Sequence, residues 1–175
     1  MKNEIKELRV KIDGLAKLTK SLREDKNDSK FPFNSPECSK AYDSLLFAKA
    51  WLGKILGELG NENPYKSGYK TVEDIEPTAD VCIFNNTASL TKGGETERYE
   101  FFKEWENNKS HIEKVDWLRE EIQSIIDGVI MMGINKPSRE FSIARTNTYN
   151  YLCEARFNLG FELQRIKEQD KELKE

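Results

Sequence analysis

The residues of this chain best suited to chemistry gather at two places where a proline and a serine punctuate the sequence and a helix begins. Ser39, Lys40 and Tyr42 follow the first, and Arg139, Ser142, Arg145, Thr146 and Tyr149 follow the second. Free backbone N–H groups at a helix N-terminus, with Lys or Arg beside them, favour a phosphate. Nearby hydroxyls can add hydrogen bonds, and a tyrosine ring can stack a base for about 1 to 3 kcal/mol. The mixture suits a nucleotide. Tyr65, Tyr69 and Thr78, in a long segment between the two places, complete the candidate ligand contacts.

Other chemistries find less support. The one histidine, His111, has no cysteine pair nearby and fits no usual zinc spacing, so a solvated helix surface is expected for it and a metal centre is not. Cys38, Cys82 and Cys153 are odd in number and widely spaced, which reads as small hydrophobes rather than a disulfide framework. No P-loop, dinucleotide-binding glycine fingerprint, nucleophile elbow or HExxH occurs, and paired acids such as Glu120 and Glu121 sit on charged helix faces. No catalytic residue, cofactor or metal is expected, and binding is the better class.

Charge and hydropathy bound the partners. The net charge is -3 and charged residues make up 34% of the chain, so an anionic ligand must meet a local basic site, and DNA or RNA is not an expected partner. No run approaches the eighteen or so apolar residues of a membrane span, and MKNEIKELRV is not shaped as a signal peptide. A cytoplasmic protein without membrane contact is expected.

Four amphipathic helices must position these residues. Ile5, Leu8, Ile12, Leu15 and Leu22 form one stripe, which ends where REDKNDSK and two prolines follow. Ser35 is a natural N-cap with Pro36 at the first helical position, opening a second helix that buries Ala41, Leu45, Ala48, Leu52, Ile55 and Leu59 and stops at Gly60. The helical pattern resumes after Gly94, possible breaks falling at Asn107 and Asn108, and runs through Val115, Leu118, Ile122 and Ile125 to Gly133. Ser138 caps the last helix, which carries Ala144, Leu152, Ala155, Leu159, Leu163 and Ile166. The fold class expected is all-α, with two similar helical hairpins in tandem over 1–63 and 95–175. They are joined by a long, partly irregular loop over 64–94, which holds function or a short strand or helix around VCIF.

The hairpins repeat each other. Ile5, Leu8, Ile12 and Leu15 correspond to Val115, Leu118, Ile122 and Ile125 at one offset. Tyr42, Leu45, Ala48, Lys49, Leu52 and Gly53 fall on Tyr149, Leu152, Ala155, Arg156, Leu159 and Gly160. Near the caps a register four residues shorter matches Glu37, Ser39 and Ala41 to Glu140, Ser142 and Ala144, and four residues are about one helical turn. Gly53 and Gly160 sit inside helices at a cost of roughly 1 kcal/mol relative to alanine, which close approach of a neighbouring helix would explain.

The stretch from Ser39 to Gly60, SKAYDSLLFAKAWLGKILGELG, resembles the helical-hairpin domain of phage anti-defence proteins that sequester the cyclic nucleotide messengers of CBASS and Thoeris immunity, in its Ser39, Ala41, Ala48, Lys49, Trp51, Leu52 and Gly53. SIARTNTYNYLCEAR is similar to the same domain through Ala144, Arg145 and Thr146, and IEPTAD, Ile75 to Asp80, resembles a segment that follows it. The chain departs from the pattern in carrying two hairpins, and in having Tyr42 and Asp43 where the second copy has the arginine and threonine.

The resemblance implies a sponge that binds a cyclic nucleotide second messenger in the host bacterial cytoplasm without cleaving it, with Arg145 and Thr146 on phosphates and ligands held between protomers of a homo-oligomer. A helical protein–protein interaction module, with the tyrosine-rich loop as its docking segment, is the alternative. A small DNA-associated phage protein ranks behind both.

Overall fold

The computed structural model describes residues 1–24, 35–60, 82–84, 88–89, 110–133 and 137–172. Tyr65, Tyr69 and Thr78 lie outside the described residues, as does most of the expected connecting loop.

Helix α1, Lys2–Glu24, turns Ile5, Ile12, Leu15 and Leu22 inward and leaves Lys2, Lys6 and Lys20 exposed. Helix α2, Pro36–Glu58, begins as expected: Ser35 Oγ accepts from Cys38 N–H at 3.1 Å, and Pro36 occupies the first turn, where a missing N–H costs nothing. It ends at Leu59, beyond which Gly60 takes φ 71°, a left-handed conformation that glycine adopts without a Cβ clash. Within the connecting segment, β1, Cys82–Phe84, pairs antiparallel with β2, Ala88–Ser89.

Helix α3, His111–Met131, starts at Ser110 with a full capping box: Ser110 N–H donates to Glu113 Oε2 at 2.7 Å and Glu113 N–H donates to Ser110 Oγ at 3.3 Å. Helix α4, Arg139–Glu172, is longer than its counterpart, and Ser138 Oγ accepts from Phe141 N–H at 3.0 Å.

The two hairpins, α1 on α2 and α3 on α4, share one hydrophobic core, joined mainly where α2 lies along α4, with a lesser contact between α1 and α3. Helices α2 and α4 run antiparallel. Ser35 meets Glu162 at one end, Phe47 stacks on Tyr151 with centroids 5.1 Å apart in the middle, and Ser138 meets Glu58 at the other end. That register brings Leu45 level with Leu152, both fully buried.

Burial follows the sequence repeat. Ile5, Ile12, Leu15, Ala16, Thr19 and Leu22 are buried in α1, and so are Val115, Ile122, Ile125, Ile126, Val129 and Met132, which hold the same places in α3. In α2, Leu45, Ala48, Leu52, Ile55 and Leu56 are matched by Leu152, Ala155, Leu159, Glu162 and Leu163 in α4. Closer to the caps, Cys38 and Ala41 are matched by Phe141 and Ala144 in the shorter register. The extra turn in α4 therefore keeps both registers on one face.

Candidate functional site

Helices α3 and α4 enclose a groove of about 540 Å³, within the size range of small-molecule sites, lined by Arg119, Gln123, Ile126 and Ile130 of α3 and by Tyr149, Cys153, Arg156, Phe157, Gly160, Phe161 and Gln164 of α4. Helical spacing explains the set. Positions 119, 123, 126 and 130 form one stripe of α3, and 149, 153, 156, 160 and 164 form the facing stripe of α4. Two guanidinium groups thus face one cleft whose lining contains no carboxylate.

The Nε atoms of Arg119 and Arg156 are shielded from water and make no hydrogen bond among the described residues. Arg119 reaches Asp116 at 3.4 Å, a long contact to a half-exposed acid one turn away. Its guanidinium lies across Gly160, where a Cβ would stand 3.7 Å from Nε and Nη2. A Cβ there would make only ordinary van der Waals contact, so the close approach of a neighbouring helix expected for this mid-helix glycine is not what the packing shows. Phe157 and Phe161 pack edge to face, 4.5 Å apart, and remain 64% and 48% exposed. Tyr149 continues this aromatic wall. Its hydrogen bond with the Cys153 thiol, together with the electrostatic effect of that group, raises the Tyr149 hydroxyl pKa.

The corresponding positions of the first hairpin hold different chemistry. At the same offsets Arg9 stands for Arg119, Asp13 for Gln123, Lys49 for Arg156, Ala50 for Phe157 and Lys54 for Phe161. Lys49 and Asp13 form a nearly buried ion pair between α1 and α2, so the basic group has its own carboxylate. Lys54 lies over the Trp51 ring at 3.7 Å, a cation–π contact.

A second polar cluster joins α2, α3 and α4. Glu162, fully buried, accepts from Ser35 Oγ at 2.6 Å, from His111 Nε2 at 3.2 Å, and from Arg165 through Nη2 at 2.7 Å and Nε at 3.0 Å. Burial alone would raise this carboxyl, but the donors His111, Arg165 and Ser35 outweigh it and hold Glu162 down at about 2. Burial, reinforced by the Glu162 charge, pushes the Cys38 thiol up to about 12. His111, expected on a solvated surface, instead has a side chain only 9% exposed and bound to Glu162, because the packing of α3 against α4 brings the two together.

Cys38, His111 and Glu162 bring atoms able to ligate a metal within 4.8 Å of one another. No sequence spacing signalled this, since the three come from three helices. Both carboxylate oxygens are taken by Arg165, and Ser35 and His111 add one donor each. The arrangement is a satisfied ion-pair network.

The candidate residues named from sequence divide between the ends of the bundle. Ser39, Lys40 and Tyr42 begin α2, whereas Arg139, Ser142, Arg145, Thr146 and Tyr149 begin α4, and antiparallel packing separates the two groups by roughly 20 Å at 1.5 Å per residue. Lys40, Arg139, Ser142 and Thr146 are exposed, while Ser39 and Tyr42 are half-buried. Ser142 Oγ donates to the Ser138 carbonyl at 3.0 Å, and Arg145 Nη1 donates to the Met132 carbonyl at 2.6 Å, closing the end of α3. Of these residues only Tyr149 lines the groove. The pairing of Lys49 with Arg156 in the repeat was the available pointer to the rest, because a base conserved across two copies faces the same way in both hairpins.

No protein-family model, curated protein or solved structure matches this chain.

Proposed function

We propose that the chain is a phage-type anti-defence sponge that binds a cyclic nucleotide immune messenger in the host bacterial cytoplasm and sequesters it without cleavage. The observation that carries this reading is the α3–α4 groove, in which Arg119 and Arg156 face a cleft free of carboxylates beside the rings of Tyr149, Phe157 and Phe161. Arginine forks suit phosphate oxygens, and exposed rings suit bases. Neither a histidine nor a carboxylate lines the cleft to move a proton, which favours holding a ligand over transforming it.

Magnitudes bear on assembly. Two charge-assisted contacts of about 1.5 to 3 kcal/mol each and two stacked rings of about 1 to 3 sum to roughly 5 to 12 kcal/mol. Association costs about 4 kcal/mol or more, while nanomolar retention needs about 12 kcal/mol net. One open groove falls short, so contacts from a second copy of the chain belong to the proposal. Exposed Ile130, at the groove's wall, and its neighbour Met131 give such a copy an apolar footing. Among the described residues no helix is long and apolar enough to cross a membrane.

The test is retention. The protein is incubated with cyclic dinucleotides, cyclic trinucleotides and cyclic ADP-ribose isomers, separated from free ligand and heated. Recovery of intact nucleotide is expected, and no retention of any of them overturns the reading. The same exposed apolar side chains, Met131 and Phe157 foremost, favour a helical interaction module as the second reading. Mass spectrometry of small molecules released from the purified protein separates the two.

A further inference from the structure

We infer that the ligand's anionic group occupies, in the second hairpin, the place that the Asp13 carboxylate occupies in the first, so that each chain carries one ligand site and Gln123 keeps it open. The inference rests on the groove proposed above as the binding site, and it names that site's chemical requirement: a phosphate or similar oxyanion between Arg119 and Arg156.

The argument comes from comparing the two copies. Both hairpins place two basic residues at matching positions, Arg9 with Lys49 and Arg119 with Arg156. In the first copy Asp13 neutralises Lys49 from within the chain, 14% exposed and facing a lysine that is 8% exposed. A buried base held by its own acid has no use for an external anion. In the second copy the acid is replaced by Gln123, whose amide turns away to donate to Asp127 at 2.9 Å. Arg156 then forms no hydrogen bond or ion pair among the described residues; shielded Nε atoms occur in both copies, at Arg9 as at Arg119 and Arg156, but it is Arg119 and Arg156 that line an open groove. An unsatisfied buried donor is costly, and a ligand oxyanion removes that cost. The first copy also lacks the stacking wall, with Ala50 and Lys54 where the second has Phe157 and Phe161. The first hairpin uses its ion pair as structure, and the second presents its two arginines to the groove as a site.

The test uses inorganic pyrophosphate as the anion and the full chain. At a concentration about a hundredfold above its Kd, pyrophosphate should raise the Tm by roughly 5 to 10 °C. Gln123→Asp, which returns the internal carboxylate, should abolish the rise. Ser124→Asp, which adds the same charge at the neighbouring exposed position, should retain it. Arg156→Gln, which removes the base without adding an acid, should abolish it as well and serves where Gln123→Asp does not fold. Equilibrium dialysis with any retained nucleotide should give one per chain.

A wild-type chain indifferent to pyrophosphate, a Gln123→Asp chain that responds like wild type, or two nucleotides per chain would each overturn the inference. Nucleotide retained by Gln123→Asp leaves the sponge standing and removes this site. A pyrophosphate response lost in Gln123→Asp, with no nucleotide ever retained, leaves the anion site standing and removes the sponge.

Discussion

Ser35 Oγ donates to Glu162 at 2.6 Å from the cap of α2, and across the bundle Ser138 Oγ donates to Glu58 at 3.0 Å from the cap of α4. Each hairpin thus ties the start of its second helix to a glutamate late in the other's second helix, as a two-fold arrangement of duplicated units would. The copies have diverged around this tie. Glu58 is exposed, whereas Glu162 stands at a position that Ile55 holds in the first copy, and is fully buried with Ser35, His111 and Arg165 around it.

Acid should therefore act on the second copy's glutamate. Its carboxyl, lowered from 4.5 to about 2, binds fewer protons folded than unfolded, so its contribution is complete above about pH 4.5 and is lost as the pH falls towards 2. Urea unfolding between pH 5 and 2 should show that loss, and Glu162→Gln should flatten it. At neutral pH the same variant should be less stable by about 3 to 5 kcal/mol, because Ser35, His111 and Arg165 lose the buried carboxylate that accepts from them. A neutral-pH loss under 1 kcal/mol would mean that Arg165 finds another acid.

Asp13→Ala should destabilise the chain by about 3 to 5 kcal/mol, since it takes the carboxylate away from the nearly buried Lys49 between α1 and α2. Gln123→Ala, the same change at the matching position, should stay within about 0.5 kcal/mol, as a half-exposed glutamine hydrogen-bonded one turn along its own helix holds no buried charge. Chemical denaturation of the two variants side by side reads the difference. Equal losses would mean that the two positions are not counterparts.

The helices, their caps and the repeat could be read from the chain because they rest on local rules. A 3.6-residue stripe, Ser35 before Pro36 and Gly60 after Leu59 need no knowledge of a partner. Ser110 and Glu113 were equally local and would have given the start of α3, but the apolar run upstream, with Tyr99, Phe102 and Trp105, masked the capping box. What depended on packing was hidden. His111 reads as surface until α2 and α4 bring Ser35 and Glu162 to it, and nothing in the sequence sets Arg119 apart until α4 brings Arg156 to the same groove. The two capped starts carry similar phosphate-binding residue types, and antiparallel packing sends them to opposite ends.

Arg145 and Arg156 should separate cleanly. Arg145 donates to the Met132 carbonyl, so Arg145→Ala should lower stability by about 1 kcal/mol and change nucleotide affinity little. Arg156→Ala should cost about 1.5 to 3 kcal/mol of affinity, roughly 10- to 150-fold in Kd, with unfolding nearly unchanged. Calorimetric titration with whichever messenger is retained, alongside thermal melts, measures both. The reverse pattern would move the phosphate contact to the start of α4, where Arg145 and Thr146 stand.

The aromatic wall gives the last test. Phe157 is 64% exposed and touches Phe161 edge to face, so removing its ring takes little from the core. Its loss should show in binding, with Phe157→Ala raising Kd by about 5- to 150-fold for a stacking contact of about 1 to 3 kcal/mol. Phe157→Trp should preserve or tighten binding, because the larger ring stacks as well. The response of pyrophosphate, which has no base, should not follow either change. If both substitutions weaken nucleotide and pyrophosphate alike, Phe157 shapes the arginines rather than stacking a base. If neither weakens the nucleotide, the base lies elsewhere on the chain and the rings are left to cover a partner helix.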